Sequence, residues 1–459
     1  MRTDYLIVGA GATGLAFTDT LVHEADVKVV IVDRRNAPGG HWRDAYPFVR
    51  LHSPSAYYGV NSQRLGLDRL DETGENAGLY ERATGTEVRA YFAEVAERLV
   101  ADGRVRVLYR QEHLGSGPDG ELVRDLATGT VHTVHVSRRV VDARYQEPSI
   151  PATHTPSFEV ADEAWVVPVN QLPTYAEGAN RFTVLGSGKT AVDACLWLLE
   201  QRVDPDRIRW VRPRDAWFHD RSAFQPLELV AWTMEGISYD AEAAALASDT
   251  ADLFDRLESS GRLFRIDPSR PAKMYRGTML STHELNLLRQ IGDVVRLGAA
   301  TRVTESRIHL QDGEVAASRG DLHVDCTARG LGDAPDVPIF GQQIVLQQVR
   351  HNSPTFNAAM IGFVEARRDS DTEKNRLCPP NRYASSVRDW APMMRRTWRT
   401  EGDWLGEPDL AAWVADSRLN LLRGLADHAS EPRMQAALER YLKYVGAAVE
   451  RAVPQEPIP

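Results

Sequence analysis

Two glycine clusters carry the chemistry that can be read from this chain. The first is Gly9-x-Gly11-x-x-Gly14, which follows the apolar run Tyr5-Leu6-Ile7-Val8 and precedes a helical pattern with Leu15, Phe17, Leu21 and Val22 on its apolar side. A second apolar run, Val27 to Val32, ends in Asp33. Strand, glycines, helix, strand and acid in this order form a turn that lays a pyrophosphate on a helix N-terminus, where free amides and the helix dipole favour negative charge. Asp33 then accepts a hydrogen bond from the 2'-hydroxyl of an adenosine ribose, so this turn suits a non-phosphorylated dinucleotide, FAD or NAD. The second cluster, Gly186-Ser187-Gly188-Lys189-Thr190-Ala191, contains G-S-G-K-T and invites comparison with an ATPase phosphate loop. That loop needs a further glycine at the position held by Thr183, inside the strand-like run Phe182-Thr183-Val184-Leu185. The stretch fits G-x-G-x-x-A instead, a second dinucleotide turn whose helix buries Val192, Cys195, Leu196 and Leu199. Its second strand, Ile208-Arg209-Trp210-Val211, is followed by Arg212 and Arg214 rather than by an acid. Guanidiniums in that place accommodate a 2'-phosphate, which favours NADPH; the alternative is a pair of solvated surface charges.

Two such units need two cores, and a chain of 459 residues is long enough to build them. The chain is 43% hydrophobic and 26% charged with a formal net charge of -10 and no basic run, which speaks against a nucleic-acid partner. No apolar stretch approaches a membrane span, and the chain reads as cytoplasmic. Cys195, Cys326 and Cys378 are scattered, with neither redox-pair nor metal-ligand spacing, so no metal is expected. Val88, Tyr91, Phe92, Val95 and Leu99 mark an amphipathic helix, and short alternating strands follow from Val105 to Val141. Apolar strand-like runs of the same shape end near Asp142 and Asp325. Residues 216–290 read as a helical insertion whose acidic part around Asp240 is a solvated face. Ser353-Pro354 is a well-made helix start, with serine as N-cap and proline at the first helical position.

The segment Asp33-Arg34-Arg35-Asn36-Ala37-Pro38-Gly39-Gly40-His41-Trp42 resembles the acid-to-Gly-Gly-x-Trp stretch of class B flavoprotein monooxygenases, which include the flavin-containing, N-hydroxylating and Baeyer–Villiger enzymes. Tyr46-Pro47-Phe48-Val49-Arg50-Leu51-His52 resembles the Y-P-G-x-R-x-D segment of the last group. The resemblance implies an α/β protein with two Rossmann-like dinucleotide-binding domains, the NADPH domain inserted into the FAD domain, with a helical insertion and a helical C-terminal region. It places an FAD domain in 1–150 and 321–459 and an NADPH domain in 151–320. The cofactors implied are FAD, on Gly9, Gly11, Gly14, Asp33, Arg34, Gly40, His41 and Trp42, and NADPH, on Gly186, Ser187, Gly188, Lys189, Thr190, Arg212 and Arg214. Arg50, His52, Tyr57 and Asn61 are the implied catalytic residues; His52, in the place of the family's acid, is a candidate proton donor with a pKa near neutrality, or simply a satisfied loop histidine. The implied reaction passes electrons from NADPH through FAD to O2 and oxygenates a small organic substrate by way of a flavin hydroperoxide. The linker Phe158-Glu159-Val160-Ala161-Asp162-Glu163-Ala164-Trp165 lacks the family's Phe-x-Gly-x-x-x-His fingerprint, so oxidation of nitrogen or sulfur, or hydroxylation, is favoured over ketone oxygenation. A flavin-dependent reductase or oxidase, and a nucleotide-binding sensor, share the same glycine motifs and remain open.

Overall fold

The protein is described by a computed structural model over residues 1–330, 334–451 and 453. β1 (Arg2–Val8), α1 (Ala12–Glu24) and β2 (Val29–Asp33) form a strand–helix–strand unit whose strands pair in parallel, Tyr5 opposite Val29. α2 (Gly85–Ala101) leads into β3 (Val105–Tyr109), which pairs with β2. β4 (Gln111–Gly117), β5 (Gly120–Asp125) and β6 (Val131–Asp142) make an antiparallel meander whose last strand returns beside β1. The sheet runs β3-β2-β1-β6-β5-β4, and the late strand Ile344–Val345 pairs with the end of β6. β1 and β2 read as unbroken apolar runs because helices and chain cover both faces of a parallel sheet.

The second sheet is wholly parallel, in the order Asp293–Val295, Ile208–Val211, Arg181–Leu185, Asp321–Asp325 and Val166–Pro168. All of it falls between residues 166 and 325, so the chain leaves the first sheet after β6 and rejoins it at Ile344–Val345. This is the inserted arrangement expected from the sequence. α1 is buried almost all round because the helix Pro354–Arg367 crosses its outer face. The crossing is close: a Cβ on Gly362 would stand 2.8 Å from the Phe17 carbonyl oxygen.

The segment 216–290 departs from the helical expectation. It contains the helices Val230–Leu246 and Thr250–Ser259, but also a three-stranded sheet ordered Leu263–Arg265, Ala216–Asp220, Met274–Leu280. These strands are short and carry buried polar residues, His219 and Thr278 among them, which hides their alternation. Asp240 is likewise not solvated: it is 1% exposed and clasped by Arg262 at 2.7 Å, itself 2% exposed. Helices Val387–Leu405, Pro408–Asp416 and Pro432–Glu450 close the chain, with Trp390, Trp398 and Trp404 buried. Among the described residues no helix is long and apolar enough to cross a membrane.

Candidate active site

The first turn is shaped by glycines at which a side chain has no room. Gly9 has φ +116°, and a Cβ on Gly14 would stand 2.1 Å from the Gly9 carbonyl oxygen. The loop at Gly39-Gly40 lies on the turn, with a Cβ on Gly40 only 3.0 Å from the Gly11 Cα. Asp33 is 6% exposed; its carboxylate accepts the Ala10 amide at 2.7 Å and the Arg35 amide at 2.8 Å. These two bonds hold the carboxylate against the turn and leave lone pairs for a ribose hydroxyl. A crevice bounded by Gly9, Asp33, Arg34, Gln111, His113 and Glu147 opens beside it. Arg34 reaches Glu147 across that crevice at 3.2 Å. Trp42 donates to the Tyr58 hydroxyl at 2.8 Å, and His41, its pKa lowered to about 4 by burial and by Arg35, stacks on Trp42.

The second turn repeats this geometry. Gly186 has φ +138° and a Cβ there would stand 2.6 Å from the Cys326 carbonyl oxygen. Trp210 donates its indole N–H to the Gly186 carbonyl at 2.7 Å, which ties the turn to the neighbouring strand. Lys189 is ion-paired with Asp193 one helical turn on, and Asp193 also accepts from the Tyr46 hydroxyl, joining the second helix to the loop after the first unit. Thr190 is half-buried in the first turn of the helix Lys189–Glu200.

Helix starts differ in whether a side chain meets their first amides. α2 is capped by Thr84 and Glu87, and the helix Thr282–Leu288 by Ser281 and Glu284. α1 and the helix Lys189–Glu200 begin at Gly11 and Gly188 with no side-chain cap, so their first amides are free for an anion. Ser353 does sit at the N-cap of Pro354–Arg367, but its hydroxyl donates to the His351 carbonyl and leaves that helix start uncapped as well.

Gly188 allows a test that separates fold from binding. Its φ is -86° and an added Cβ meets nothing within 4 Å, so the folded chain has room for a side chain. That side chain occupies the approach to the free amides. Gly188→Val is expected to weaken NADPH binding by about 100-fold while the thermal midpoint stays within about 3 °C, the loss being limited to a poorer N-cap. An unchanged Kd for NADPH would remove this turn from the site.

The two arginines after Val211 behave differently. Arg212 turns inward: it is 3% exposed, pairs with Asp215 at 2.6 Å and lies over the Trp210 ring. Arg214 is exposed, its amide donates to the Ser187 hydroxyl at 3.2 Å, and its charge helps lower the pKa of Arg276 after burial. Arg214 and Arg276 thus face one another's field beside the second turn, while Arg212 is committed to Asp215.

The four residues expected to be catalytic do not form one cluster. Arg50 is exposed, and its charge acts on Glu200. His52 and Tyr57 point inward and share the field of Arg221. Asn61 accepts a hydrogen bond from Ser417 at 2.9 Å, next to Arg418, which donates to the Ala56, Tyr58 and Val60 carbonyls. His52 does not titrate near neutrality: burial, then the charges of Lys189, Arg221 and Arg82, lower its pKa to about 3. Its Nδ1 accepts the Met279 amide at 3.3 Å, which leaves the proton on Nε2. Sequence reasoning missed the buried charges around it. Arg221, fully buried, donates to the His52 carbonyl at 2.9 Å and to Glu284 at 2.6 Å, and Arg82 reaches Glu75 at 2.9 Å and Glu284 at 3.4 Å. The S-x-x-E capping box at Ser281–Glu284 was the one local signal available; no spacing announces its partners.

Residues 7–60 match the NAD(P)-binding Rossmann-like domain family. Uncharacterized proteins of Mycobacterium tuberculosis and Mycobacterium bovis are 43% identical over 453 residues, covering 98% of this chain and 83% of each relative. The open crystal structure of cyclohexanone monooxygenase superposes with a TM-score of 0.50 at 13% identity, over 82% of this chain and 92% of that one. This likeness establishes the fold, which is shared with cyclohexanone monooxygenase.

Proposed function

We propose that this chain, which belongs to the family of those mycobacterial proteins, is an NADPH-dependent FAD monooxygenase that oxygenates a small organic molecule with O2, by hydroxylation or heteroatom oxidation. The observation that carries the reading is the pair of glycine turns. Each sits at the end of a parallel strand and before an uncapped helix; one is followed by Asp33 and the other by Arg214. The first turn, at which a Cβ would fill the cradle, fits the pyrophosphate of FAD, and the second that of NADPH. FAD binding is assigned to 1–150 and 321–459, and NADPH binding to 151–320.

When bound, FAD accepts hydride from NADPH and supplies the reactivity toward O2. The chain's own residues bind and orient. Asp33 holds the adenosine ribose, and Arg214 with Arg276 receives the 2'-phosphate. The free amides at the start of Pro354–Arg367 favour negative charge on whatever faces them. His52, neutral and protonated on Nε2, donates a hydrogen bond without becoming a cation. Tyr57, whose pKa is pushed up by burial, stays a phenol and is a second neutral donor.

Anaerobic mixing with NADPH tests the reading. Flavin absorbance is expected to bleach, and Arg214→Ala is expected to raise the Kd for NADPH by at least about tenfold while that for NADH moves by less than about twofold. Readmitted O2 is then expected to give an oxygenated product in step with NADPH consumed. Peroxide as the only product from every compound offered would replace the monooxygenase with an oxidase, and no bleaching would sink both.

A further inference from the structure

Gln111 stands at the first turn with half of its amide unused. β3 ends at Tyr109, which lies opposite Asp33 in the register of the sheet. Arg110 then takes a left-handed φ of 55°, and its amide donates to the Arg35 carbonyl at 2.9 Å. This sharp bend sets Gln111, the first residue of β4, on the same crevice as Gly9 and Asp33. The side chain is anchored at one end only. Its Nε2 donates to the Asp125 carboxylate at 2.7 Å, directly across the β4–β5 pair. Its Oε1 is shielded from solvent, and among the described residues it has no hydrogen-bond partner. Gln111 is 9% exposed, and native folds leave few such buried acceptors unmet.

Asp125 fixes which end of the amide faces the crevice. It also accepts the Thr128 and Ala127 amides, at 2.9 and 2.8 Å. The Thr128 amide, the Gln111 side chain and the Ala127 amide together hold its carboxyl below the usual carboxylate range. An ionised carboxylate accepts and cannot donate, so Gln111 turns its NH2 to Asp125 and its carbonyl away. The oxygen left over calls for a donor. Nearby, His113 meets Glu121 at 2.6 Å and Arg35 pairs with Asp44 at 2.8 Å, so both are engaged elsewhere. The crevice is a slot rather than a chamber, because Arg34 spans it to Glu147 at 3.2 Å. These two side chains are 47% and 36% exposed, and a surface pair of this kind separates at little cost. A flat ring then has a way in.

We propose that Gln111 selects the base of the dinucleotide held by the first turn, its Oε1 accepting the exocyclic amine of a 6-aminopurine. Asp33, which holds the ribose, lines the same crevice, and the base is the next group along such a molecule. This selection rests on the reading of the first turn as the FAD site. A 6-oxopurine presents an oxygen where the amine stood, so two acceptors would face each other. FAD and flavin hypoxanthine dinucleotide differ in the purine alone, which isolates the contact. Flavin-fluorescence titrations of the flavin-free, full-length protein, with NADP+ saturating the second turn, measure both affinities. FAD is expected to bind at least about tenfold more tightly than its hypoxanthine counterpart. Gln111→Leu removes the oxygen and leaves Asp125 its two backbone amides. The ratio is then expected to fall below about twofold, since general damage to the fold weakens both flavins alike. Equal affinity of the two flavins for the unaltered protein, or an unchanged ratio in Gln111→Leu, would overturn the proposal. The first comparison needs no variant and stands even where Gln111→Leu fails to fold. Binding of neither flavin indicts the FAD reading. Calorimetry with NAD and nicotinamide hypoxanthine dinucleotide then decides the role of Gln111 by the same tenfold criterion.

Discussion

Acidification from about pH 7.5 to about pH 5.5 is expected to remove several kcal/mol of folding stability, before ordinary carboxylates begin to protonate. The cause is a set of imidazoles kept neutral by burial. The pKa values of His52 and His351 fall to about 3 and those of His41 and His323 to about 4, while His219 is held well below its ordinary value. In the unfolded chain each takes up a proton near pH 6.5. The folded-state pKa values are depressed, so below pH 6.5 the unfolded state binds more protons and stability falls with pH; above that value the contribution is fully present. Each imidazole contributes on the order of 1.4 kcal/mol by pH 5.5. Two acids pull the other way, buried Asp240 and solvent-exposed Glu200, whose pKa values desolvation raises, but they are two against five. Urea midpoints at three pH values and fixed ionic strength check this, and a midpoint flat between pH 7.5 and 5.5 would show that the histidines are solvated.

Asp240→Ala is the single substitution expected to damage the fold most. Asp240 and Arg262 are both buried, Arg262 also donates to the Ala223 carbonyl at 2.9 Å, and its guanidinium lies over the Phe224 ring. Removing the carboxylate leaves a buried cation without a counterion, at a cost of about 3–5 kcal/mol. Removing both charges together, as Asp240→Leu with Arg262→Met, is expected to recover most of that loss, because desolvation of the pair offsets much of its attraction. Denaturant unfolding of the three proteins measures both effects. A loss below about 1 kcal/mol in Asp240→Ala would mean that water reaches Arg262.

What was legible in the sequence was what local spacing dictates. The glycine turns, their helices and Asp33 follow from steric rules over some thirty residues, and the structure places them as strand, turn and helix in both sheets. The choice between Arg212 and Arg214 was not legible: Asp215, three residues on, captures the nearer arginine, and only the fold shows which way each side chain leaves the strand. Asp240 misled for a similar reason. In a stretch rich in Ala, Asp and Glu it reads as solvated, and its counterion comes from Arg262, on the far side of another helix. Ser353 was placed at the right position, yet its hydroxyl bonds backward to His351 rather than forward to the helix. The contacts of Tyr275, with His219 at its hydroxyl and Phe254 edge-on to its ring, draw on segments distant in sequence and carry no motif at all.

The crossing of Pro354–Arg367 over α1 bears on how the chain is made. The Tyr5 hydroxyl donates to Glu365, 360 positions downstream, and Lys374 holds the same carboxylate from the other side. Until that helix leaves the ribosome, the first helix of the protein has nothing to cover its outer apolar face. At about 5–20 residues per second, synthesis of the intervening chain takes roughly 20–70 s. The second sheet, complete in sequence by residue 325, finishes before the first one can. The N-terminal half is thus the last part to close, and during that interval a nascent-chain chaperone has its clearest target in the side chains around Phe17 and Leu21.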